Sequence, residues 1–283
     1  MQENYREIPS PLQVLGDVLD DYIATTPSFG RMAMRGVAFV ILTGLLVGPY
    51  ALAGLANQRL KRKIGAAWYG LTKMICGLKV QVIGAPLSDP GVMFAANHVS
   101  YLDIIVLGAC TDARFVAKSE VADWPVFGWL AKLANTVFVT RDRRHARQDS
   151  AQLAKLMNTG ARLIFFPEGT SSNGCSVLPF KTSLFAAVDP ATASSPLHVQ
   201  PVSIAYTVYA DGRPLKGYLS DLYAWYGEMT LFGHLMTVFG LRGASVEVTF
   251  MPPLTVAAYP DRKALALSVE RHVRDGLNAS LRR

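Results

Sequence analysis

A histidine and an aspartate stand five positions apart in NHVSYLD, residues 97–103. An imidazole held by a carboxylate is the pair a general base needs, because the carboxylate fixes the tautomer and stabilises the imidazolium. In a continuous helix, positions i and i+5 lie about 140° apart and share no face. His98 and Asp103 therefore meet only if the chain turns between them. Ser100 supplies such a turn: it is a good N-cap, with Asp103 at the third helical position and an apolar run, YLDIIVLGAC, behind it. His98 then sits in the loop before the helix, and Asp103 reaches back to it from the first turn. A plainer reading uses the same residues: Asp103 completes a capping box and His98 is merely close. The heptapeptide alone does not choose between them.

A second chemical stretch is RLIFFPEGTSSNG, residues 162–174. An apolar strand runs into Pro167, which cannot donate to a ladder, and then into Glu168, Gly169 and Thr170. Strand ends in α/β proteins are where sites assemble. Glycine lets backbone approach a ligand, Glu168 supplies an acceptor, and Thr170 both donates and accepts. Between the two stretches lies NTVFVTRDRRHAR, where Arg141 follows a strand and opens a basic cluster suited to phosphate or an acidic carrier protein. Arg143, Arg144 and Arg147 fit a solvated helix start better. His145, His198, His234 and His272 stand outside any motif. G-x-S-x-G, H-E-x-x-H, G-x-x-x-x-G-K-[ST] and G-x-G-x-x-G are absent, which argues against serine hydrolase, zinc protease, P-loop and dinucleotide chemistry.

The elements that must carry these residues begin with a membrane signature. The chain of 283 residues is 51% hydrophobic and 17% charged, against roughly 25% charged in soluble proteins. Residues 36–56, GVAFVILTGLLVGPYALAGLA, contain no charge and match the length a bilayer core requires. Gly48 and Pro49 interrupt the run, so a kinked or re-entrant helix is expected beside a simple span. The run starts too far from Met1, and is too long, for a cleavable signal peptide. Arg59, Lys61, Arg62 and Lys63 follow it, and Arg31 and Arg35 precede it, placing the main body on the cytoplasmic side of the inner membrane. The net charge of +7 comes without a nucleic-acid-binding motif and suits an anionic membrane surface. Cys76, Cys110 and Cys175 are isolated and odd in number, reading as small core residues rather than disulfide or metal ligands.

Residues 64–78 read as a second apolar or amphipathic helix at the interface. From residue 79 the texture changes. KVQVI, VMFAAN, RFVAK, VFVT, RLIFF, HVQPVSIAYT and SVEVTFM are strand candidates. Helices are expected at 101–110, at 124–134 with Pro125 in the first position, and at about 147–158. Leu265, Val269, Val273, Leu277 and Leu281, four apart, give an amphipathic C-terminal helix. The expected fold class is α/β, a central, largely parallel sheet flanked by helices. Residues 1–78 form a lead-in with membrane-embedded and interfacial helices, and residues 79–283 form the main domain.

Taken together, the motifs resemble the 1-acylglycerol-3-phosphate acyltransferase family of glycerolipid acyltransferases. Its four blocks occur in order: His-x4-Asp in NHVSYLD, a block ending at Phe138 and Arg141 in VFVTR, Pro-Glu-Gly-Thr in FPEGT, and Val-x-Pro-Val in VQPV with Pro201. The resemblance covers roughly residues 80–255. It implies the glycerolipid acyltransferase fold, an acyl-CoA or acyl carrier protein donor, a lysolipid acceptor and no cofactor or metal. It also implies His98 as general base with Asp103 as its partner. The substrate-binding set it implies is Asn97, Phe138, Arg141, Pro167, Glu168, Gly169, Thr170, Ser171 and Pro201. One departure stands out: many phosphate-accepting members carry Arg where this chain has Ser171, so a bidentate phosphate contact is lost. With AWYGEMTLFGHL, residues 224–235, that change resembles the branch that acylates lyso-ornithine lipid. The segment LYAWYGEMTLFGHLMTVFGL, residues 222–241, reads as an interfacial element or acyl-chain wall, and Trp124 and Trp129 as similar or as core. The alternatives are a non-catalytic lipid-binding scaffold on the same fold, a phospholipid-dependent transacylase, and a hydrolase.

Overall fold

A computed structural model of the protein describes residues 25–140, 146–190 and 197–283, with the side chains of 146 and 147 left out. Arg141 and its neighbours Arg143, Arg144 and His145, and the lead-in over 1–24, lie outside the described residues. The strands are β1 (Leu78–Ile83), β2 (Val92–Ala96), β3 (Arg114–Lys118), β4 (Val137–Val139), β5 (Leu163–Phe165), β6 (His198–Tyr209), β7 (Ala244–Phe250) and β8 (Leu254–Thr255). They form one sheet in the order β1-β7-β6-β2-β5-β3-β4, with β8 pairing β6. Among the described strands, only the β6–β7 and β6–β8 pairs are antiparallel. The expected largely parallel sheet is therefore present. Both of its faces are covered, which is why all five residues of β2 are buried and its sequence is apolar without alternation.

The helices are α1 (Phe29–Ala56), α2 (Gln58–Ile75), α3 (Leu102–Cys110), α4 (Phe127–Leu133), α5 (Ala146–Asn158), α6 (Leu231–Gly240) and α7 (Arg262–Leu281). On one face of the sheet, Met93, Ala95, Leu163 and Phe165 pack against Leu153 and Met157 of α5 and the Leu265–Val269–Val273–Leu277 stripe of α7. On the other, Phe94, Ala96, Ile164 and Ile204 pack against Leu102, Val106 and Leu107 of α3 and Val238 and Phe239 of α6. The four-residue spacing seen in the C-terminal sequence is thus the buried face of α7.

Three local expectations change. The helix expected from residue 124 begins at Phe127, after a 3₁₀ turn over Ser119–Asp123. Val126 at its cap takes φ +62°, so Pro125 lies in the turn ahead of the helix and not in its first position. Cys175 is exposed, in the loop after Ser171, whereas Cys76 is buried and Cys110 half-buried. Of the two readings of Trp129, the interfacial one fits its 55% exposure.

The apolar run is part of a longer helix. α1 continues unbroken through Pro49 and takes in Arg31 and Arg35. Asn57 then ends α1 and starts α2: its N–H donates to the Ala53 carbonyl, and its side chain accepts from Leu60 N at 3.0 Å. The two helices pack antiparallel as a hairpin. Trp68 Nε1 donates to Thr43 Oγ1 at 3.0 Å, and the Phe39 and Trp68 rings lie 6.1 Å apart. Arg31 and Arg35, read from sequence as membrane flanks, instead bind the C-terminal carbonyls of α6. Arg31 Nη1 donates to Gly240 O and Arg35 Nη1 to Leu241 O, each at 2.7 Å. Cations there complement the negative end of the helix dipole. Beyond the start of α2, Arg62 pairs with Asp112 after α3 at 3.1 Å. The hairpin is thus tied to the sheet domain near both of its ends.

Candidate active site

The parallel register of β2 and β5 positions the two sequence motifs. Ala95 pairs with Phe165, so His98 and Glu168 each emerge three residues later from the carboxyl ends of adjacent strands. That is the edge where α/β sheets assemble sites. Asn97 extends the ladder beyond β2. Its Nδ2 donates to Ile204 O at 2.9 Å and its Oδ1 accepts from Ile204 N at 2.8 Å. With both amide groups on the backbone and 2% exposure, Asn97 positions the loop.

His98 Nδ1 lies 2.9 Å from Asp103 Oδ2. The same oxygen accepts from Val99 N at 2.7 Å and Ser100 N at 3.0 Å. The catalytic-pair and capping readings are therefore not alternatives, since one carboxylate does both. Ser100 is not the cap residue; α3 starts at Leu102 with Tyr101 in the cap position, and the Asp103 side chain supplies the turn. The other carboxylate oxygen, Oδ1, accepts from Tyr206 OH at 3.0 Å. Asp103 is fully buried, and four donors match the lone-pair sites of an ionised carboxylate. Burial and then the Asp103 charge hold the Tyr206 phenol well above its usual range, so it remains a donor. With Nδ1–H given to Asp103, His98 presents Nε2 outward, its side chain 18% exposed. Phe166 stacks on the imidazole at 4.0 Å and 15°.

Glu168 faces inward. Its Oε1 accepts from His98 N at 2.8 Å and its Oε2 from Leu178 N at 3.1 Å. At 2% exposure it holds the His98 loop through these two bonds. Burial pushes its carboxyl up to about 7, against the opposing pull of those two N–H groups. The rest of the loop is similarly held: His98 O accepts from Ser172 N, and Val99 O from Trp225 N, both at 2.9 Å. Gly169 takes φ +76°, and a Cβ there would come within 2.7 Å of Lys181 Nζ, so the lysine stem lies over it. Pro167 is buried and its carbonyl accepts from Lys181 N at 2.8 Å. Thr170 is exposed, and the Ser171 hydroxyl donates to the Trp225 carbonyl.

Pro201 lies in β6 opposite Ala95. On its other side, β8 pairing stops at Val199 and β7 pairing starts at Val202, so a residue without an N–H is tolerated at this seam. Phe138 is on the edge strand β4, three strands from β2, or roughly 14 Å at ordinary strand spacing. It is not gathered with His98. Sequence reasoning missed Tyr206, Phe166 and His234, whose Nδ1 meets Tyr101 OH at 3.1 Å. Burial lowers His234 to about 4, so the ring that pairs with the tyrosine hydroxyl is neutral.

A cavity of about 210 Å³ opens between the hairpin and the domain. Its lining is almost wholly apolar and includes Phe39, Val47 and Trp68 from the hairpin and Tyr101, Ile105 and Trp124 from the domain. Tyr101 is three residues from His98, so one wall of this cavity is continuous with the His98 loop.

Comparison with known proteins finds relatives over most of the chain. The acyltransferase family model matches residues 79–205. The chain is 38% identical over 262 residues to the lyso-ornithine lipid O-acyltransferase of Rhodobacter capsulatus, covering 88% of this chain and 90% of that protein. It is 33% identical to the protein of that name from Rhizobium meliloti, covering 89% and 87%. A 1-acyl-sn-glycerol-3-phosphate acyltransferase of Neisseria meningitidis is 31% identical over 67% of this chain and 71% of its own. The crystal structure of the 1-acyl-sn-glycerophosphate acyltransferase of Thermotoga maritima superposes with a TM-score of 0.64 at 22% identity, over 88% and 95% of the two chains. That likeness carries the fold.

Proposed function

The chain belongs to the 1-acylglycerol-3-phosphate acyltransferase family and is a lysolipid O-acyltransferase; on that premise we propose how its residues perform the transfer, and from what donor to what acceptor. His98 Nε2 takes the proton of the acceptor hydroxyl as its oxygen attacks the thioester carbonyl. A C–O bond forms, the C–S bond breaks, and His98 returns the proton to the leaving thiolate. The buried Asp103 carboxylate stabilises the imidazolium in between. A thioester is already activated, so no acyl-enzyme is required. The observation that carries this reading is the His98–Asp103 pair at 2.9 Å, fully backed by Val99 N, Ser100 N and Tyr206.

The donor is an acyl carrier protein or CoA thioester, whose chain enters the apolar cavity. The acceptor is lyso-ornithine lipid, supported by Ser171 and by the relatives that cover nearly the whole chain. The rival acceptor, 1-acylglycerol-3-phosphate, is favoured by relatives matching over 67% of the chain.

The protein associates with a membrane through α1, the one helix among the described residues long and apolar enough to cross a bilayer. Its outer face carries Val40, Leu45, Leu52 and Leu55, exposed at 68%, 68%, 69% and 87%. Because the hairpin is tied to the domain near both ends, it seats in one leaflet of the inner membrane. The site then lies at the cytoplasmic surface among anionic headgroups, with Arg59 and Lys63 exposed at the hairpin bend.

The test supplies labelled acyl carrier protein and acyl-CoA separately, each with lyso-ornithine lipid and with 1-acylglycerol-3-phosphate. Thioester-dependent formation of a two-chain lipid supports the reading. Transfer that needs only a phospholipid would make the protein a transacylase, and acceptor-independent fatty acid release would make it a hydrolase.

A further inference from the structure

Ser171 directly follows the Pro-Glu-Gly-Thr block, and it is not idle. Its hydroxyl donates to the Trp225 carbonyl. The Trp225 N–H donates to Val99 O at 2.9 Å and its indole N–H to Met229 O at 2.9 Å. Every polar group of Trp225 is therefore engaged within the protein, and two of the three bonds join the His-x4-Asp loop to the Pro-Glu-Gly-Thr loop. The half-buried indole meets Tyr101 edge-on at 5.8 Å and Trp124 at 6.0 Å, and both of those rings line the apolar cavity. Tyr101 turns its hydroxyl away to the neutral His234. The two rings that Trp225 buttresses, Tyr101 and Trp124, present aromatic carbon to the cavity.

We propose that Ser171 selects the acceptor through Trp225, fixing an apolar wall that takes an alcohol whose carbinol carbon itself bears an alkyl chain. The proposal rests on the lysolipid acyltransferase reading and names the determinant within it. A 3-hydroxyacyl amide, the single-chain form of an ornithine lipid, has its hydroxyl on such a carbon. In 1-acylglycerol-3-phosphate the carbons flanking the hydroxyl carry oxygens, which an apolar wall desolvates without partners. An apolar pocket separates substrates that differ by one methylene by about 10- to 200-fold. Ser171 and Trp225 are positioning residues here, since neither needs to touch the reacting atoms.

The experiment measures kcat/KM for the two acceptors with one fixed acyl donor, in the wild type and in Ser171→Ala, Ser171→Thr and Trp225→Ala, with melting temperatures alongside. The expected result is that the ratio favouring the hydroxyacyl amide falls about tenfold in Ser171→Ala and Trp225→Ala. Ser171→Thr, which keeps the hydroxyl, holds the wild-type ratio. Should Trp225→Ala fail to fold, the Ser171→Ala and Ser171→Thr pair decides by itself. A ratio unchanged in Ser171→Ala, or one that falls equally in Ser171→Thr, overturns the proposal while leaving the acyltransferase reading intact. A wild type that acylates neither acceptor overturns both.

Discussion

Replacing Asp103 by asparagine separates the charge of the buried carboxylate from its shape. The oxygen of the new amide can keep the Oδ2 position and still accept from Val99 N, Ser100 N and His98 Nδ1. The amide NH₂ then takes the Oδ1 position and donates to Tyr206, whose hydroxyl rotates from donor to acceptor. The loop geometry survives, and the melting temperature should change by no more than a few degrees. The imidazolium formed during transfer, however, loses its counter-charge. For charges about 4 Å apart at an effective dielectric of about 20, that attraction is about 4 kcal/mol, or about a thousandfold in rate. Steady-state acyl transfer should show this loss in kcat with little change in KM. Tyr206→Phe is the matched contrast. It keeps the charge but orphans Oδ1, costing about 1.5–3 kcal/mol of stability. Its melting temperature should fall by several degrees, while activity stays within roughly tenfold of wild type, below the thousandfold loss set by the charge term. An Asp103→Asn enzyme that folds and retains more than a tenth of its activity would refute the argument that His98 becomes charged in the transition state.

Other consequences follow from the same contacts. Burial raises the Glu168 carboxyl to about 7 from an ordinary 4.5, so its contribution to stability is full below about pH 4.5 and is lost as pH rises through about 7. The span is worth about 3 kcal/mol, and denaturation of wild type against Glu168→Gln at pH 5 and pH 8 should show the steeper loss in wild type; parallel curves would contradict it. Gly169→Ala forces a side chain into φ +76° and into the Lys181 stem, costing at least about 1–2 kcal/mol, measurable by thermal unfolding. Leu45→Asp with Leu52→Asp, both on the exposed face of α1, should abolish sedimentation with anionic vesicles while leaving the circular dichroism spectrum unchanged. Vesicle binding equal to wild type would remove α1 from the membrane contact.

What the sequence made legible was whatever is local. Short β-branched runs marked the strands, and the four-residue spacing of Leu265 to Leu277 marked the buried face of α7. The spacing of His98 and Asp103 was enough to require a turn. What stayed hidden depends on pairing across the fold. Tyr206 is an unremarkable strand tyrosine until β6 is laid beside β2, which brings its hydroxyl to Asp103. Arg31 and Arg35 look like membrane flanks because their true partners, the last carbonyls of α6, lie some two hundred residues away. The inward role of Glu168 is equally hidden, because a glutamate after a strand is usually exposed. Here the adjacent parallel strand places the His98 N–H against it. Pro125 misleads in a different way: it favours the first turn of a helix, but Val126 takes a γ-turn at φ +62°, ψ −56°, and the helix starts after it.

The most direct measurement is acyl transfer from a labelled thioester to a lysolipid by wild type beside His98→Ala. Asp103, Glu168 and Asn97 hold the loop through backbone groups, so the variant should fold and still bind both substrates. The account predicts a two-chain lipid product with wild type and a loss of at least about a thousandfold in kcat with the variant, general-base catalysis and its stabilising charge both being removed. Transfer unchanged by the substitution, with the fold intact, would contradict it.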